Sequence, residues 1–572
     1  MQELIDIGGQ NMKGKAAKSI LLSVLVFTMV FVSACSTKNN EGKEPEGSSA
    51  PTSKTETNSP EETAVSYDPL GKIDPPIEVT AVRMLDSTTK FAEGDSIDKN
   101  AWNQLYFDEF GIKLKYLWVA DPTQYNQKFN VTMASGKLPD IMPVDGTQFN
   151  QLVEADQLAD LTEALENYGT PLTKELLSKD GGLGLDSASF GGKLLGIPVN
   201  PGANDNAPLL WIRTDWLKKL NLPEPKTMDD VFKIAEAFAK QDPDGNKKDD
   251  TYGLGLDKLL YDAVFGLYGF FNGYHANPQI WVENEAGEYV YGSIQPEMKV
   301  ALAKLQEMYK AGWIDREFGV KDIEKLIQAG NAGKLGMFFG VMYANSYFVE
   351  GKKLDAEMDW MPFALPSIDD QQAKPQLVFP IGKYFVVRKG MEHPEALIKM
   401  LNAFHNDWDK TKYPLTAINQ DGDIAKWVYA LVTGSNPTQN LDMYTRVSSA
   451  LEKNDETLLD PKASGQKIFY DSLKKWEAGD NEGWMYARIF DAQKLLHDYH
   501  QSNGFLMTKY IAGPTPTLVE KGSTLEKMEL ETFTKIIMGE SSIDAFDEFV
   551  TNWKNLGGDA ITAEVAKWKA SK

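Results

Sequence analysis

The chain has one long apolar run, residues 20–32, and it stops just short of the only cysteine in the sequence, Cys35. Those two facts bound the folds open to everything that follows. A single thiol rules out an intramolecular disulfide, and no later apolar segment approaches the ~20 residues a membrane-crossing helix needs. The remainder, on the order of 500 residues, must be held by packed apolar cores, and it is long enough for more than one.

Lys13, Lys15 and Lys18 precede the run, and Val32-Ser33-Ala34-Cys35 ends it. A basic segment, an apolar segment too short to span comfortably, small residues and then cysteine resemble the signal peptides of bacterial lipoproteins. The resemblance implies a signal peptide over residues 1–34, cleavage before Cys35 and lipidation of its thiol. Residues 35–71 are rich in Ser, Thr, Glu, Pro, Asn and Lys with almost nothing apolar to bury, and read as a disordered tether. Residues 72–572 are then the folded body. The whole sequence carries a formal net charge of −23. Residues 1–34 hold three lysines against Glu3 and Asp6, so the mature chain is one unit more acidic. Such a charge argues against a nucleic-acid partner and suits a monomer held by its lipid on the outer face of the cell membrane.

The body reads as α/β. Alternation at Ile77-Glu78-Val79-Thr80-Ala81-Val82-Arg83-Met84 predicts a strand, residues 100–110 a helix, 112–119 a strand, 129–135 a helix and 140–144 a short buried strand. The theme recurs with a strand at 209–213 and an amphipathic helix at 227–241, capped by Thr227 with Asp229 and Asp230 at its positive end. Beyond about residue 460 the patterns are helical. They include 525–538 ended by Gly539 and 543–556 ended by Gly557, the latter with Ser541 and Asp544 as a capping box. These last helices are expected to brace one lobe.

A second stretch is chemically loaded. In Asp242-Pro243-Asp244-Gly245-Asn246-Lys247-Lys248-Asp249-Asp250, oxygen-bearing side chains recur at alternating positions, the spacing with which a loop wraps a hard cation. Asp242, Asp244, Asn246 and Asp250 would give side-chain oxygens and Lys248 its backbone carbonyl to a structural calcium ion. The alternative is a solvated turn with capping aspartates. Lys247 stands where such loops commonly have glycine, and no later carboxylate closes the shell unless Asp249 does so.

Ser135-Gly136-Lys137-Leu138-Pro139-Asp140-Ile141, Gly192-Lys193-Leu194-Leu195-Gly196-Ile197-Pro198 and Ile212-Arg213-Thr214-Asp215-Trp216-Leu217 resemble landmarks of bacterial extracellular solute-binding proteins of carbohydrate importers of the ATP-binding-cassette (ABC) type. Gly333-Lys334-Leu335-Gly336-Met337 and the run from Val386 to Ala396 fit the same pattern, and the C-terminal Ile537-Met538-Gly539 resembles the LipO-like subgroup. The resemblance spans roughly residues 75–572. It implies two α/β lobes of the periplasmic-binding-protein type, with a hinge and a ligand cleft between them. Lobe 1 would be about 75–199 plus 380–425, lobe 2 about 200–379 plus 426–572, with crossings near 199–208 and 376–384. It also implies an oligosaccharide ligand, ABC permease subunits as partners, and calcium loops of similar spacing in relatives.

Sugar rings offer C–H faces to aromatic side chains and hydroxyls to amides, carboxylates and guanidinium groups. Aromatics are also the commonest core filler. The cleft candidates pair the two kinds of group: Asp145 at the carboxyl end of a strand, Trp211 and Arg213 at a crossing, Asn272 and Tyr274 in an aromatic-amide segment, Tyr343, Tyr384, and Trp484 with Arg488. No catalytic residue is assigned. The sequence has no Gly-x-Ser-x-Gly, no phosphate loop and no His-Glu-x-x-His. His497 and His500 read as surface histidines without a third ligand. A polysaccharide-degrading enzyme and a sugar-sensing receptor subunit stay open as alternatives. An acidic sugar would have to overcome the net charge, which requires Arg213 or Arg488 in the cleft.

Replacing Cys35 by alanine is expected to release the protein from the membrane without changing ligand affinity. Fractionation of cells making this variant checks it, and retention in the membrane fraction would count against the anchor.

Overall fold

The computed structural model describes residues 67–572 apart from 407, 409, 423, 461 and 462; the expected signal peptide, Cys35 and most of the expected tether lie outside the described residues. Two sheets organise the body. The first runs in spatial order Ile112–Ala120, Ile77–Met84, Ile141–Val144, Lys383–Val387, Ile197–Val199. Its first three strands are parallel, and Lys383–Val387 lies antiparallel between the last two neighbours. The carboxyl ends of Ile77–Met84 and Ile141–Val144 and the amino end of Lys383–Val387 therefore meet on one edge, where ligands of open α/β sheets gather. Arg83, Asp145 and Lys383 are brought together there.

The second sheet runs Trp360–Phe363, Leu209–Arg213, Leu335–Gly340, Tyr252–Leu254. Residues 209–213 and 335–340 are buried throughout. Their unbroken apolar runs follow from burial on both faces, because successive side chains point to opposite sides. Leu210, Ile212, Met337 and Phe339 enter one core, with helix Met228–Lys240 and the C-terminal helices. Leu209, Trp211 and Phe338 enter another, with Trp360 and helix Trp484–Gln501.

Local signals in the sequence account for most element boundaries. Asn100 caps Ala101–Phe110 by accepting from the Trp102 and Asn103 N–H groups. Thr227 and Asp230 form a capping box on Met228–Lys240. Pro516–Met538 ends in Gly539 at φ +74°. Its inner face adds Phe533, Ile536 and Ile537 to the core that also holds Phe546, Phe549 and Trp553. Two expectations differ. The helix expected at 129–135 begins earlier, at Pro122 behind the Asp121 cap. Asp544 heads Ala545–Trp553 without a side-chain cap, lying instead 3.6 Å from Lys299.

The chain passes between the cores three times. Residues 77–199 build the first core, 209–377 the second sheet, 383–432 return to the first, and the remainder packs on the second sheet or builds a further core around Met443, Phe469 and Ile489. The return is longer than a boundary at 425 allows: Tyr429, Ala430, Leu431 and Val432 are buried in the first core. The reason is Arg83, whose Nη1 donates to the Ala430 carbonyl at 2.7 Å and whose Nη2 donates to that of Val428.

A fourth approach between the lobes is made by two glycines. A Cβ built on Gly513 would stand 2.3 Å from the Gly146 carbonyl oxygen, so only glycine permits this contact. Gly513→Ala is expected to lower the urea midpoint, by an overpacking cost of about 1–3 kcal/mol. Gly382→Ala, whose Cβ meets nothing within 4 Å, leaves the midpoint unchanged. Equal midpoints for the two variants would contradict the close approach.

Candidate functional site

Two cavities open on either side of the crossing at 378–382. One, of about 260 Å³, lies on the first lobe, lined by Arg83, Asn126, Asp145, Gly382, Lys383 and Thr433 among others. The other, of about 210 Å³, lies on the second, lined by Asn206, Tyr261, Asp262, Tyr268, Gln376 and Val378 among others. Both therefore draw residues from the crossing segments and from strand ends.

The second-lobe cavity is built on a buried acid. Glu529, 1% exposed, accepts from the Tyr261 hydroxyl at 2.7 Å and from Ser293 Oγ at 3.0 Å. Burial pushes this carboxyl up to about 7, with the two hydroxyls pulling it down. Tyr261 stacks on Tyr268, ring centroids 5.2 Å apart, and the Tyr268 hydroxyl donates to Gln279 at 2.5 Å. Two rings are thus fixed by their polar ends at the cavity wall. Asp257, also 1% exposed, is pushed up to about 8, first by burial and then by its hydrogen-bonded neighbour Asp262. Asp257 therefore keeps its proton, and Asp262 stands beside it in the cavity wall. Gln376 is held by Asn272, which donates to its Oε1 at 2.9 Å and accepts from its backbone N–H at 2.9 Å.

The structure places the candidate residues as follows. Asp145 lines the first-lobe cavity and heads helix Gly146–Glu154 through a capping box with Gln148. Asn272 stands one layer behind the second cavity, positioning Gln376. Tyr274 packs against Phe270, 5.4 Å between centroids, and Tyr384 stacks on Phe149 at 4.3 Å with its hydroxyl donating to Ser187. Both are core residues. Tyr343 is half-buried against the core that holds Trp211, Phe338 and Trp360. Trp211 is fully buried, donating to the Val341 carbonyl at 3.2 Å.

Arg213, Trp484 and Arg488 do come together, but at the far end of the second sheet. Arg213 is the last residue of Leu209–Arg213, four positions or roughly 13 Å from the crossing. It pairs with Asp215, Nε and Nη2 to the two carboxylate oxygens at 2.8 and 2.6 Å. Arg488 pairs with Asp359 the same way at 2.8 and 2.9 Å, and Trp484 Nε1 donates to Asp359 at 2.9 Å. Their charges are neutralised in a polar cavity of about 670 Å³ away from the crossings. Neither arginine supplies the positive charge that an acidic ligand requires of the cleft.

The aspartate loop closes on itself. Asn246 Nδ2 donates to Asp244 at 2.6 Å and to Asp250 at 3.0 Å, while its Oδ1 accepts from the Lys248 N–H at 2.7 Å. Asp242 accepts from the Lys247 N–H, and Lys247 stands at φ +63°, a left-handed position that glycine fills without strain. Burial and then the nearby Asp242 and Asp250 raise the Asp244 carboxyl. Crowded carboxylates suit a cation, yet the Asn246 amide and Lys334, 3.1 Å from Asp250, take the oxygens it would need. Among the described residues no three His, Cys, Asp or Glu side chains form a group able to hold a metal ion.

Sequence reasoning passed over Arg83, Lys383, Tyr261, Tyr268, Asp262 and Gln376. Three carried a signal. Arg83 stands one residue before the end of a predicted strand, and Gln376 and Lys383 lie inside the crossing expected at 376–384.

Two sheets crossed three times by the chain, with cavities flanking a crossing, define a two-lobe, hinged binding protein with an interlobe cleft. The model of bacterial extracellular solute-binding proteins matches residues 89–407, and the chain belongs to that family. It is 27% identical over 481 residues to lipoprotein LipO of Bacillus subtilis (strain 168), covering 81% of this chain and 87% of LipO. It is 24% identical over 465 residues to the polygalacturonan/rhamnogalacturonan-binding protein YtcQ of the same organism, covering 79% and 84%. Among solved structures it resembles an extracellular solute-binding protein from Bifidobacterium longum subsp. infantis, with TM-score 0.59 at 14% identity over 88% of this chain and 99% of that one. By name these relatives are a lipoprotein and binding proteins.

Glu529 gives the site a pH signature. From the ordinary glutamate value of 4.5 up to about 7, the folded state holds a proton that the unfolded chain releases. The stability this carboxyl contributes is complete below 4.5 and is lost as pH rises through 7. Glu529→Gln, which mimics the protonated acid, is expected to match the parent near pH 4.5 and to exceed it at pH 8 by up to about 3 kcal/mol. Urea unfolding at the two pH values checks this; parallel pH profiles would show that Glu529 is ionised in the fold.

Proposed function

We propose that this protein, anchored by a lipid on Cys35, captures an oligosaccharide between its lobes on the outer face of the cell membrane and delivers it, as a monomer, to an ABC permease. The observation that carries the reading is the pair of cavities flanking the 378–382 crossing. Tyr261 and Tyr268 offer rings to sugar C–H faces, while Asp262, Gln376, Asn126 and Asp145 offer polar groups to hydroxyls. A ligand touching both lobes stabilises the closed arrangement by its differential affinity for it, and reopening releases the sugar. The family membership and the relative YtcQ, a polysaccharide-binding protein by name, support the ligand class. The importer landmarks in the sequence support the permease.

Calcium in the 242–250 loop belongs to the same proposal. Asp242, Asp244, Asn246 and Asp250 would hold it once the Asn246 amide turns its oxygen inward and Lys334 gives up Asp250, with the Lys248 carbonyl as a further ligand. Its role would be structural, fastening the end of helix Met228–Lys240 to the chain that follows.

Thermal unfolding of residues 72–572 against oligosaccharides, with and without calcium, tests both parts. A bound sugar at a hundredfold excess over Kd stabilises by about 2.7 kcal/mol. The expected outcome is a rise in Tm with sugar that chromatography recovers intact, and a separate rise with calcium that chelator reverses. Cleaved sugar would replace this reading with the enzyme, and a calcium-indifferent Tm would remove the metal from it.

A further inference from the structure

The first-lobe cavity holds positive charge that nothing around it neutralises. Arg83 is 8% exposed, and its hydrogen-bond partners are the Ala430 and Val428 carbonyls and the Tyr116 hydroxyl, all neutral. Its Nε is buried without a partner among the described residues. Lys383, beside it on the cavity wall, makes no ion pair or hydrogen bond among the described residues, and its ammonium lies 5.2 Å from the centre of the Phe385 ring. The other buried arginine on the sheets, Arg213, has carboxylate partners. So does the partly buried Arg488. In a chain of net charge −23, a buried arginine left without a carboxylate, with an exposed lysine as its neighbour, is a costly arrangement, since a buried charge needs compensation.

One carboxylate is nearby. Asp145 lines the same cavity, but it is within ion-pair distance of neither cation, and its Oδ1 accepts from the Gln148 N–H at 2.8 Å at the start of a helix. The cavity therefore carries two positive charges against one negative. Desolvation, and after it the charge of Arg83, lower the Lys383 ammonium from its ordinary value, the mark of two cations held close without a counter-ion. The second-lobe cavity has the opposite character, with Asp262 and no cationic side chain in its wall.

We infer that the ligand is an acidic oligosaccharide, a chain containing uronic acids, bound with a carboxylate against Lys383 and Arg83 on the first lobe and its hydroxyls toward Asp262 and Gln376 on the second. This deepens the oligosaccharide reading and rests on it. Lys383 is the contact residue, a point charge on a flexible stem that meets the carboxylate directly. Arg83 is fixed by the three oxygens it holds and supplies a positive field behind it. The ligand's charge completes the first-lobe cavity, and Asp262 in the second disfavours a chain bound the other way round.

Calorimetric titration with short galacturonate, glucuronate and mannuronate oligosaccharides tests this, each compared with the same chain after its carboxyl groups are reduced to primary alcohols. A panel of neutral oligosaccharides is run alongside. An acidic chain is expected to bind at least tenfold more tightly than its reduced counterpart, and its affinity to fall with added salt while that of neutral chains does not. In Lys383→Met, a substitution at an exposed position that leaves Arg83 and its bonds to 428 and 430 in place, the gap should close to within about threefold. If reduced or neutral chains bind as tightly as acidic ones, the inference is overturned and the oligosaccharide reading stands. If no sugar of any kind binds, the oligosaccharide reading falls and takes the inference with it.

Discussion

Three passages of one chain between two cores set the geometry on which everything else depends. The first and third, residues 200–208 and 433–438, are bound to each other and to the helix that follows. A Cβ on Gly202 would stand 2.5 Å from the Pro437 carbonyl oxygen, and Asn440 donates to Asp205 at 2.5 Å. Lys179 of the first lobe pairs with Asp442 at 2.7 Å across the same junction. Burial pushes Asp205 up to about 6 there, with the Asn440 amide opposing the shift. The remaining passage, 378–382, runs beside the two cavities. Hinge motion is concentrated where few residues must change their dihedral angles, as in passages this short.

Charge is sorted along the second sheet and between the lobes. At the far end of the second sheet, Arg213 and Arg488 are each clasped by aspartates, a structural layer in which removal of one partner strands the other. Near the crossings the acids are partly neutral, as Glu529 and Asp257 keep protons through burial. At the first-lobe cavity Arg83 and Lys383 stand without an ion-pair partner among the described residues. The same residue type thus does opposite work, and only its neighbours tell which.

Much of the fold was readable because local physics agreed with it. Thr227 and Asp230, Asn100, and Gly539 are caps whose chemistry acts within four residues, and the unbroken apolar run at 209–213 matched a strand buried on both faces. The cleft was harder. Trp211, Tyr274, Tyr384 and Trp484 carry the ring chemistry of a sugar site, but each packs inside a core, since a strand end and a strand centre look alike without knowing which end meets the crossing. The strand-end rule placed Asp145, which lines the first-lobe cavity. The same rule reaches Arg83 once the strand's direction is known. Tyr261 depends on Glu529, 268 residues further on, and no local pattern joins them.

The interleaving of the lobes also dictates an order of assembly. Strand Ile141–Val144 bonds on one side to Ile77–Met84, but its other edge waits for Lys383–Val387, which arrives only after the whole second sheet has been made. Arg83 waits longer still, for a carbonyl 347 residues away. As the chain emerges from its amino end, the first lobe carries an open sheet edge and an unanswered buried cation, the conditions under which strands pair with the wrong neighbour. Contacts so distant in sequence form slowly. The lobe that begins the chain is therefore the one that finishes folding late, and a holding factor that shields its edge during that interval would have more effect on yield than any gain in the stability of the finished protein.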